Sequence, residues 1–574
     1  MLQDAAVLGK VFWAGAVAQM DGRDRAAVEQ SLHALARKEF VRRQRRPSVE
    51  GESEYAFLHL LVRDVAYGQI PRAARSEKHR AVADWMSALA REEEHSEVLA
   101  HHYQEALEYA RPAGKADLAL EEGARLAFRS AGDRALALNA FATAARFYRL
   151  ALDLWPREDP ERAYVLFGLG TARNRTEDSV TELEEARNEL LRQEDREKAA
   201  EAEAIVAFQT GSTEGSLARL EQALQLVQDR APSRSKAFVL AQLAYRAASL
   251  GDRRWEQHAE QALAMAENLG LEDLRARVLV AIGTARAMGT ARSPADLQRG
   301  IEALEQGVAV ADAIDSLESV RARINLAAQL QTQGELRRCF GVQAKARADA
   351  ERFGMREPVV HLRLELVWEL YWGGLWDESV REANACLAEL EAGGRHPVAD
   401  IFLPFVRARI RLARDDLAGS ISDSEQAVRA ARKWPTWGNL GTTLAGLARV
   451  RLAAGRSSEA DMLVKEVGEI GLNPYGWPDL SVALVGLGRD DDLASGTYSS
   501  SGPSAWLDAA RALVSGDYVG AAHIYAGIGS VPDEAYARLR SGIDLEVRRA
   551  LEFYRSVGAT RYIREGEALL AASA

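Results

Sequence analysis

The clearest indication of the fold in this 574-residue chain is the segment Ala144-Ala-Arg-Phe-Tyr148-Arg-Leu-Ala151-Leu-Asp-Leu-Trp-Pro156. Small residues at 144 and 151 flank the aromatic residue at 148, and a proline follows five positions after Ala151. Small side chains let two helices approach closely, the ring fills the groove between neighbouring pairs, and proline ends the helix. Gly132, twelve residues upstream of Ala144, supplies a small position on the preceding helix. The stretch therefore predicts the second helix of a packed helix pair.

The same theme recurs from about residue 99 to residue 530. Apolar segments of helical length are separated by short turns at Gly251, Gly334, Gly374, Asp416, Gly455 and Gly516. The steps from Gly334 to the next three turns are 40, 42 and 39 residues, and the step before Gly334 is 83. A fixed period in this range predicts a helical solenoid.

The small, aromatic, small and proline positions of residues 144–156 resemble a tetratricopeptide (TPR) repeat. The resemblance implies an all-α, TPR-like α-solenoid, a superhelix of antiparallel helix pairs. Gly132, Ala144, Tyr148, Ala151 and Pro156 would be its repeat-packing residues. Because the later period is nearer 40 than 34, another helical-pair solenoid stays open as an alternative.

The first 92 residues follow a different pattern. Asp24 is placed to cap an amphipathic helix that runs to Arg37. Residues 40–46 then indicate a strand, 47–53 a turn, and 54–58 a returning strand. This outline predicts a winged-helix-like module over 1–92, followed by TPR-like repeats over 93–485. A mobile loop rich in Gly, Asp and Ser is expected at 486–504, and helical repeats with a cap at 505–574.

Charge and cysteine content limit the function classes. The net charge is -11, and this disfavours nucleic acid as a partner of the whole chain. The charge is uneven, with +3 over residues 1–90 and -14 over the rest. Cys339 and Cys386 form no ligand spacing, and no apolar run is long enough to span a membrane. We therefore expect a cytoplasmic protein without a cofactor or bound metal.

Several segments resemble one bacterial group, the signal-transduction ATPases with numerous domains (STAND), which are often fused to a class III adenylate cyclase. The segments are Ala5-Ala-Val-Leu-Gly-Lys-Val-Phe-Trp13, Phe57-Leu-His-Leu-Leu-Val-Arg-Asp-Val-Ala-Tyr67, residues 71–75 with His79 and Trp85, Leu99-Ala-His-His-Tyr103, and residues 551–564. The resemblance implies that the first two segments form a winged-helix region behind an ATPase core. Residues 71–75, His79 and Trp85 continue the second of these segments, and Leu99–Tyr103 would open the helical array.

The chain departs from this family at the nucleotide site. A P-loop needs G-x-x-x-x-G-K-[ST], but Gly9-Lys10 is followed by Val11 and Gly114-Lys115 by Ala116. No segment resembles a cyclase domain. The sequence is expected to be the C-terminal part of such a regulator, lacking its ATPase and cyclase domains, with no catalytic residues. The predicted function is a sensor array that binds a protein partner or small ligand on its concave face. The alternatives are part of an ATP-dependent cyclase regulator, or a winged-helix transcriptional regulator.

Two residue sets are candidates for binding. Aromatic residues on a concave solenoid face often anchor a peptide or ligand, although packing between repeats is the competing interpretation. This candidate interaction surface comprises Trp368, Tyr371, Trp372, Trp376, Trp434 and Trp437. A basic run where a wing would lie could contact phosphate or another domain, including an ATPase or cyclase domain in cis or trans. It comprises Arg42, Arg43, Arg45 and Arg46.

Histidines near the N-terminus raise the question of a metal site. His101 and His102 are adjacent, and neighbouring helical residues point about 100° apart, so the two cannot easily face one ion. We expect instead that His59 and His79 are packed, hydrogen-bonded residues of the N-terminal core.

Overall fold

The computed structural model describes residues 1–49, 51–89, 95–113, 117–177, 179–208, 213–288, 293–393, 397–434, 438–494, 498 and 504–573. The chain divides into two compact units, an N-terminal unit, Met1–Val227, and a C-terminal unit, Gln228–Ala574. Among the described residues, no helix combines the length and the apolar content needed to cross a membrane.

The N-terminal unit begins with short helices and three strands. These elements are α1 (Leu2–Leu8), β1 (Val11–Trp13), α2 (Ala14–Asp21), α3 (Arg25–Arg37), β2 (Val41–Arg43), β3 (Glu54–Phe57), α4 (Leu60–Gly68) and α5 (Arg72–Ser87). Asp24 caps α3 as predicted, because its carboxylate accepts a hydrogen bond from the Ala27 amide at 3.1 Å.

The three strands form one antiparallel sheet in the order β1-β3-β2. In the register, Ala56 lies opposite both Val11 and Arg42. Cross-strand partners share a face of a sheet, so these three side chains lie on one face. The other face carries Phe12, Tyr55 and Phe57, which are buried in the core. The hairpin of β2 and β3 lies where two strands were expected, but β1 was not anticipated, because three residues between helices show no alternation.

Helix pairs make up the rest of the N-terminal unit. They are α6 (Ser96–Ala110), α7 (Leu118–Ala137), α8 (Phe141–Leu152), α9 (Arg162–Glu177), α10 (Thr181–Arg192), α11 (Arg196–Phe208) and α12 (Thr213–Val227). Each packs on the next along the chain.

The C-terminal unit is also built from paired helices. Its first twelve are α13 (Arg234–Ser249), α14 (Arg254–Asn268), α15 (Glu272–Met288), α16 (Pro294–Ala313), α17 (Glu318–Gln333), α18 (Leu336–Arg352), α19 (Arg356–Trp372), α20 (Trp376–Gly393), α21 (Pro397–Ala413), α22 (Leu417–Lys433), α23 (Asn439–Ala453) and α24 (Ser457–Ile470). Its last seven are α25 (Trp477–Leu487), α26 (Asp491–Ala494), α27 (Ala505–Val514), α28 (Tyr518–Ile528), α29 (Val531–Arg540), α30 (Asp544–Ser556) and α31 (Thr560–Ser573).

The helices of the C-terminal unit form two layers. From α19 to α25, each odd-numbered helix contacts the next odd-numbered one, and each even-numbered helix from α14 to α24 packs on the odd-numbered helix before it. This is the layering of a TPR-like α-solenoid, so the fold class expected from the periodicity is confirmed. Within the segment 486–504, where a mobile loop was expected, Gly486 and Leu487 belong to α25 and Asp491–Ala494 form α26. Residues 495–497 and 499–503 of that segment lie outside the described residues.

The predicted turns fall between paired helices. Gly334, Gly374 and Gly455 have φ values of 84°, 80° and 74°, and each ends the first helix of a pair. Helices commonly end with a residue in the left-handed conformation, and glycine adopts that conformation without strain. At the Asp416 turn the positive φ belongs instead to Asp415, and Asp416 caps α22. The step of 83 residues from Gly251 to Gly334 spans α14, α15, α16 and α17, and residues 289–292 within it lie outside the described residues.

The packing of Tyr148 explains the residue spacing within the segment 144–156. Its ring lies between two helical glycines, and a Cβ at Gly132 or Gly168 would come within 2.9 or 2.5 Å of it. Its hydroxyl donates a hydrogen bond to Asp133 at 2.6 Å. Ala144 and Ala151 are fully buried, and Pro156 follows the end of α8. Gly132 on α7 and Gly168 on α9 therefore leave room for the ring of Tyr148.

We expect Gly132→Ala to destabilise the N-terminal unit by about 1–3 kcal/mol, because the added methyl overlaps the ring of Tyr148. Gly341→Ala is the matched control, since Gly341 is an exposed position inside α18 with no atom near the added methyl. There alanine should stabilise by about 0.5–1 kcal/mol through helix propensity alone. Urea unfolding of both variants measures the two effects, and a stabilising Gly132→Ala would contradict the packing described.

Candidate functional site

The aromatic residues of α19 and α20 are buried, so the prediction of an interaction surface is wrong for four of its members. Trp368, Tyr371, Trp372 and Trp376 are each at most 4% exposed. The rings of Trp368 and Trp372 stack at 4.6 Å. The competing interpretation, packing between repeats, is the one the structure shows.

The two remaining members of that predicted surface are Trp434 and Trp437, and the structure describes only the first. Trp434 ends α22 with about half its surface exposed. Trp437 lies outside the described residues.

Burial of these aromatics follows from a closure inside the C-terminal unit. Helix α29 contacts α19, and α31 contacts α21. The Trp506 indole donates to the Gln331 carbonyl at 2.8 Å, and the Arg414 guanidinium donates to the Val557 carbonyl at 3.0 Å. These partners are 175 and 143 positions apart in the chain. The inner faces of α19 and α21 are therefore covered by the last helices of the unit.

A charged cluster lies in this closed core. Both oxygens of Asp479 accept hydrogen bonds from arginines: Arg409 donates from Nη2 to Oδ2 at 2.5 Å, and Arg449 donates from Nη1 to Oδ1 at 2.8 Å. Asp479 is fully buried and Arg409 is 8% exposed. Burial by itself raises the pKa of Asp479, but the two guanidiniums hold that pKa below its usual value. The carboxylate is therefore kept charged inside an apolar core.

The same core holds further polar groups. Arg449 also donates from Nη2 to the Tyr562 hydroxyl at 2.8 Å. Burial raises the pKa of the Asp533 carboxyl, which accepts a hydrogen bond from Ser530 at 2.6 Å. The Arg409 guanidinium lies 5.2 Å from the Phe405 ring centre, within reach of a cation–π interaction. No signal in the sequence marks this cluster, because Arg409, Arg449 and Asp479 belong to three different repeats.

A histidine pair joins two helices of the N-terminal unit. The Nδ1 atoms of His79 on α5 and His102 on α6 are 2.9 Å apart, and His79 Nε2 lies 3.0 Å from the Tyr67 hydroxyl. Burial, aided by His101, Arg63 and Arg75, lowers the pKa of His79 to about 3. Burial also lowers the pKa of His102. Both rings are therefore neutral at pH 7.

His79 lies in the core, as expected from the sequence. His59 does not, since it is exposed immediately before α4, and that expectation is wrong. In the part of the chain that the structure describes, no three His, Cys, Asp or Glu residues are grouped so that they could hold a metal ion.

The N-terminal unit carries an exposed apolar surface, here called the N-terminal apolar surface. It comprises Val11, Phe40, Leu58, Leu60, Leu61 and Val65, all partly or largely exposed. Val11 begins β1, Phe40 precedes β2, and Leu58 follows β3, so all three lie at one end of the antiparallel sheet. The Leu58 amide donates to the Phe40 carbonyl at 3.1 Å. Helix α4 starts at this end, and Leu61 and Val65 are one helical turn apart on it.

One residue of the predicted basic run, Arg42, lies beside this surface. Arg42 and Arg43 lie in β2, whereas Arg45 and Arg46 lie beyond its end in the connection to β3. All four side chains are exposed. Arg42 shares a sheet face with Val11, and this places positive charge beside the apolar residues. Sequence reasoning found the arginines but missed the apolar surface, because its members come from four separate elements.

The fold thus defines a helical-repeat protein with an added three-stranded sheet. No protein-family model and no curated protein matches the chain. The solved structures that are similar to it include the following three. A Signal Transduction ATPase with Numerous Domains protein with a tetratricopeptide repeat sensor, from Pyrococcus horikoshii, is 12% identical, with a TM-score of 0.36, over 81% of this chain and 61% of that chain.

The second structure is a Rap protein complexed with Competence and Sporulation Factor, 13% identical, with a TM-score of 0.31, over 76% of this chain and 95% of that chain. The third is the APC/C hetero-tetramer Cut9-Hcn1, which is 13% identical, with a TM-score of 0.37, over 77% of this chain and 86% of that chain. This chain spans less than two thirds of the length of the STAND protein.

Proposed function

We propose that this chain is a non-catalytic binding scaffold of a bacterial signalling regulator, and that a protein partner docks on its N-terminal apolar surface. The observation that carries the proposal is the exposure of that surface. Leu61 alone is 74% exposed, and the other members of the surface come from α4 and from one end of all three strands. Soluble proteins rarely expose contiguous apolar patches unless the patch binds something.

The charge around the surface indicates the chemistry of the partner. Arg42 lies on the same sheet face as Val11, whereas Arg43 lies on the other face and Arg45 and Arg46 follow the far end of β2. Complementary charge at the rim of an interface favours association and fixes its register. The fitting partner therefore presents an apolar patch with an acidic side chain that meets Arg42.

We further propose that this partner is a P-loop nucleotide-binding domain, in cis or in trans. Two observations support this. Residues 57–67, which resemble the region behind the STAND ATPase core, contain Leu58, Leu60, Leu61 and Val65 of the surface. The element order of helix, strand, two helices and hairpin supports a winged-helix assignment of the module. The helical repeats would then act as the sensor, with Trp434 as a candidate ligand contact.

Photo-crosslinking in the native cell tests the docking proposal. A photo-reactive amino acid at position 61 should crosslink one abundant partner, and mass spectrometry should identify it as a P-loop protein. The matched control places the same group at position 269, an exposed leucine at the end of α14 in the C-terminal unit. Equal crosslinking from both positions, or a partner without a P-loop, would reject the proposal.

A further inference from the structure

The closed core of the C-terminal unit encloses a small cavity. Its volume is about 20 Å³, room for roughly one water-sized species. Arg409, Arg449, Asp479 and Asp533 line it, together with tyrosines that include Tyr554. Helices α21, α23, α25, α29 and α30 supply these five side chains. Such a concentration of polar groups is unusual in a solenoid core, where aliphatic packing is sufficient for stability.

Two of the lining side chains have a donor without a partner among the described residues. They are Nη1 of Arg409 and the hydroxyl of Tyr554. Arg409 is 8% exposed and Tyr554 is 1% exposed, so neither donor is hydrated by bulk water. A buried donor left unpaired is costly, and native proteins nearly always satisfy it. A guanidinium nitrogen can only donate, so the species that satisfies Arg409 must be a hydrogen-bond acceptor.

The charge of the cluster narrows the choice of acceptor. Arg409 and Arg449 share one close carboxylate, that of Asp479. The second carboxyl, Asp533, is fully buried with its pKa raised by burial, which favours its neutral form. The lining then carries an excess of positive charge in a medium that screens charge poorly. An anion neutralises this excess, whereas a water molecule does not.

We propose that this cavity is a binding site for a small monovalent anion of the size of chloride, held by the guanidinium of Arg409 and the hydroxyl of Tyr554. The site is independent of the N-terminal apolar surface and does not depend on the function proposed above. Its occupant stabilises the closure of the last helices onto α19 and α21, because the lining side chains come from both sets of helices.

Chloride-dependent stability of the full chain provides the first test. The melting temperature of the C-terminal unit should rise with sodium chloride but not with sodium gluconate at equal ionic strength, since gluconate is too large for the cavity. If the dissociation constant is about 1 mM, the rise at 100 mM chloride is about 5 °C. Crystals soaked in sodium bromide should show an anomalous peak between Arg409 and Tyr554.

The variant Tyr554→Phe separates a bound anion from a merely structural cluster. Phenylalanine keeps the ring packing and removes one donor, so the variant should fold and lose most of the chloride-dependent rise. Tyr525→Phe is the matched control, because Tyr525 is equally buried in the same unit but does not line the cavity. Its chloride response should equal that of the wild type. A flat chloride response in the wild type with no bromide peak, or an unchanged response in Tyr554→Phe, would overturn the proposal.

Discussion

Asp479→Ala should destabilise the C-terminal unit by about 3–5 kcal/mol, the range expected when one partner of a buried ion pair is removed. Asp479 is the carboxylate that Arg409 and Arg449 share, and it is fully buried. Without it, two guanidiniums remain in an apolar core with no close carboxylate. Neither can lose its proton to escape the desolvation, because the arginine pKa is too high.

Urea unfolding followed by tryptophan fluorescence measures this effect, since Trp372, Trp477 and Trp506 are all buried in the same unit. The matched control is Asp508→Ala, which breaks the pair with Arg511 at 3.6 Å. Both of those side chains are 60% exposed, so the change should be at most about 1 kcal/mol. A loss below about 1 kcal/mol for Asp479→Ala would show that water reaches the cluster.

The second large effect is a loss of stability of the N-terminal unit as the pH falls from 7 to 5. The pKa of His79 is about 3 in the folded chain, compared with 6.5 for an unperturbed histidine. Below pH 6.5 the unfolded state therefore binds the proton and the folded state does not. Stability is unaffected above pH 6.5, falls as the pH drops below it, and stops falling only near pH 3.

The size of this effect follows from the displacement of the pKa. At pH 5, which is 1.5 units below the unperturbed value, His79 contributes a loss of about 2 kcal/mol. His102 acts in the same direction, because its pKa is also lowered by burial. Two protons cannot both occupy the 2.9 Å gap between the Nδ1 atoms, so protonation breaks the contact between α5 and α6.

Amide hydrogen exchange of α5 and α6, corrected for the intrinsic rate at each pH, reports this loss directly. The double variant His79→Gln with His102→Gln removes both titrating groups and should flatten the slope between pH 7 and pH 5. His33→Gln, which changes an exposed histidine of the same unit, should leave the slope as it is. A double variant with the wild-type slope would assign the pH effect to the carboxylates.

The local structure of this protein could be predicted well from its sequence. The Gly334, Gly374 and Gly455 turns and the Asp24 cap are determined within a few residues of backbone, and each lies where its pattern placed it. The pairing of Tyr148 with Gly132 is likewise encoded in the spacing between neighbouring helices.

The long-range contacts could not be predicted. A stripe such as Trp368, Tyr371 and Trp372 has the same spacing whether it faces a partner or the core. The closure of α29–α31 onto α19 and α21 decides between these, and it joins residues more than 100 positions apart. The Arg409–Asp479–Arg449 cluster escaped prediction for the same reason, since a repeat pattern describes neighbours only.

In the proposed function, a protein partner binds the N-terminal apolar surface rather than the aromatic residues of the repeats. Calorimetric titration of the crosslinked partner, once purified, into the wild type, Leu61→Glu and Trp434→Ala compares the two surfaces directly. We expect Leu61→Glu to weaken binding by roughly 100-fold, as for a central apolar anchor, and Trp434→Ala to bind like the wild type. Wild-type affinity in Leu61→Glu together with lost affinity in Trp434→Ala would contradict the claim.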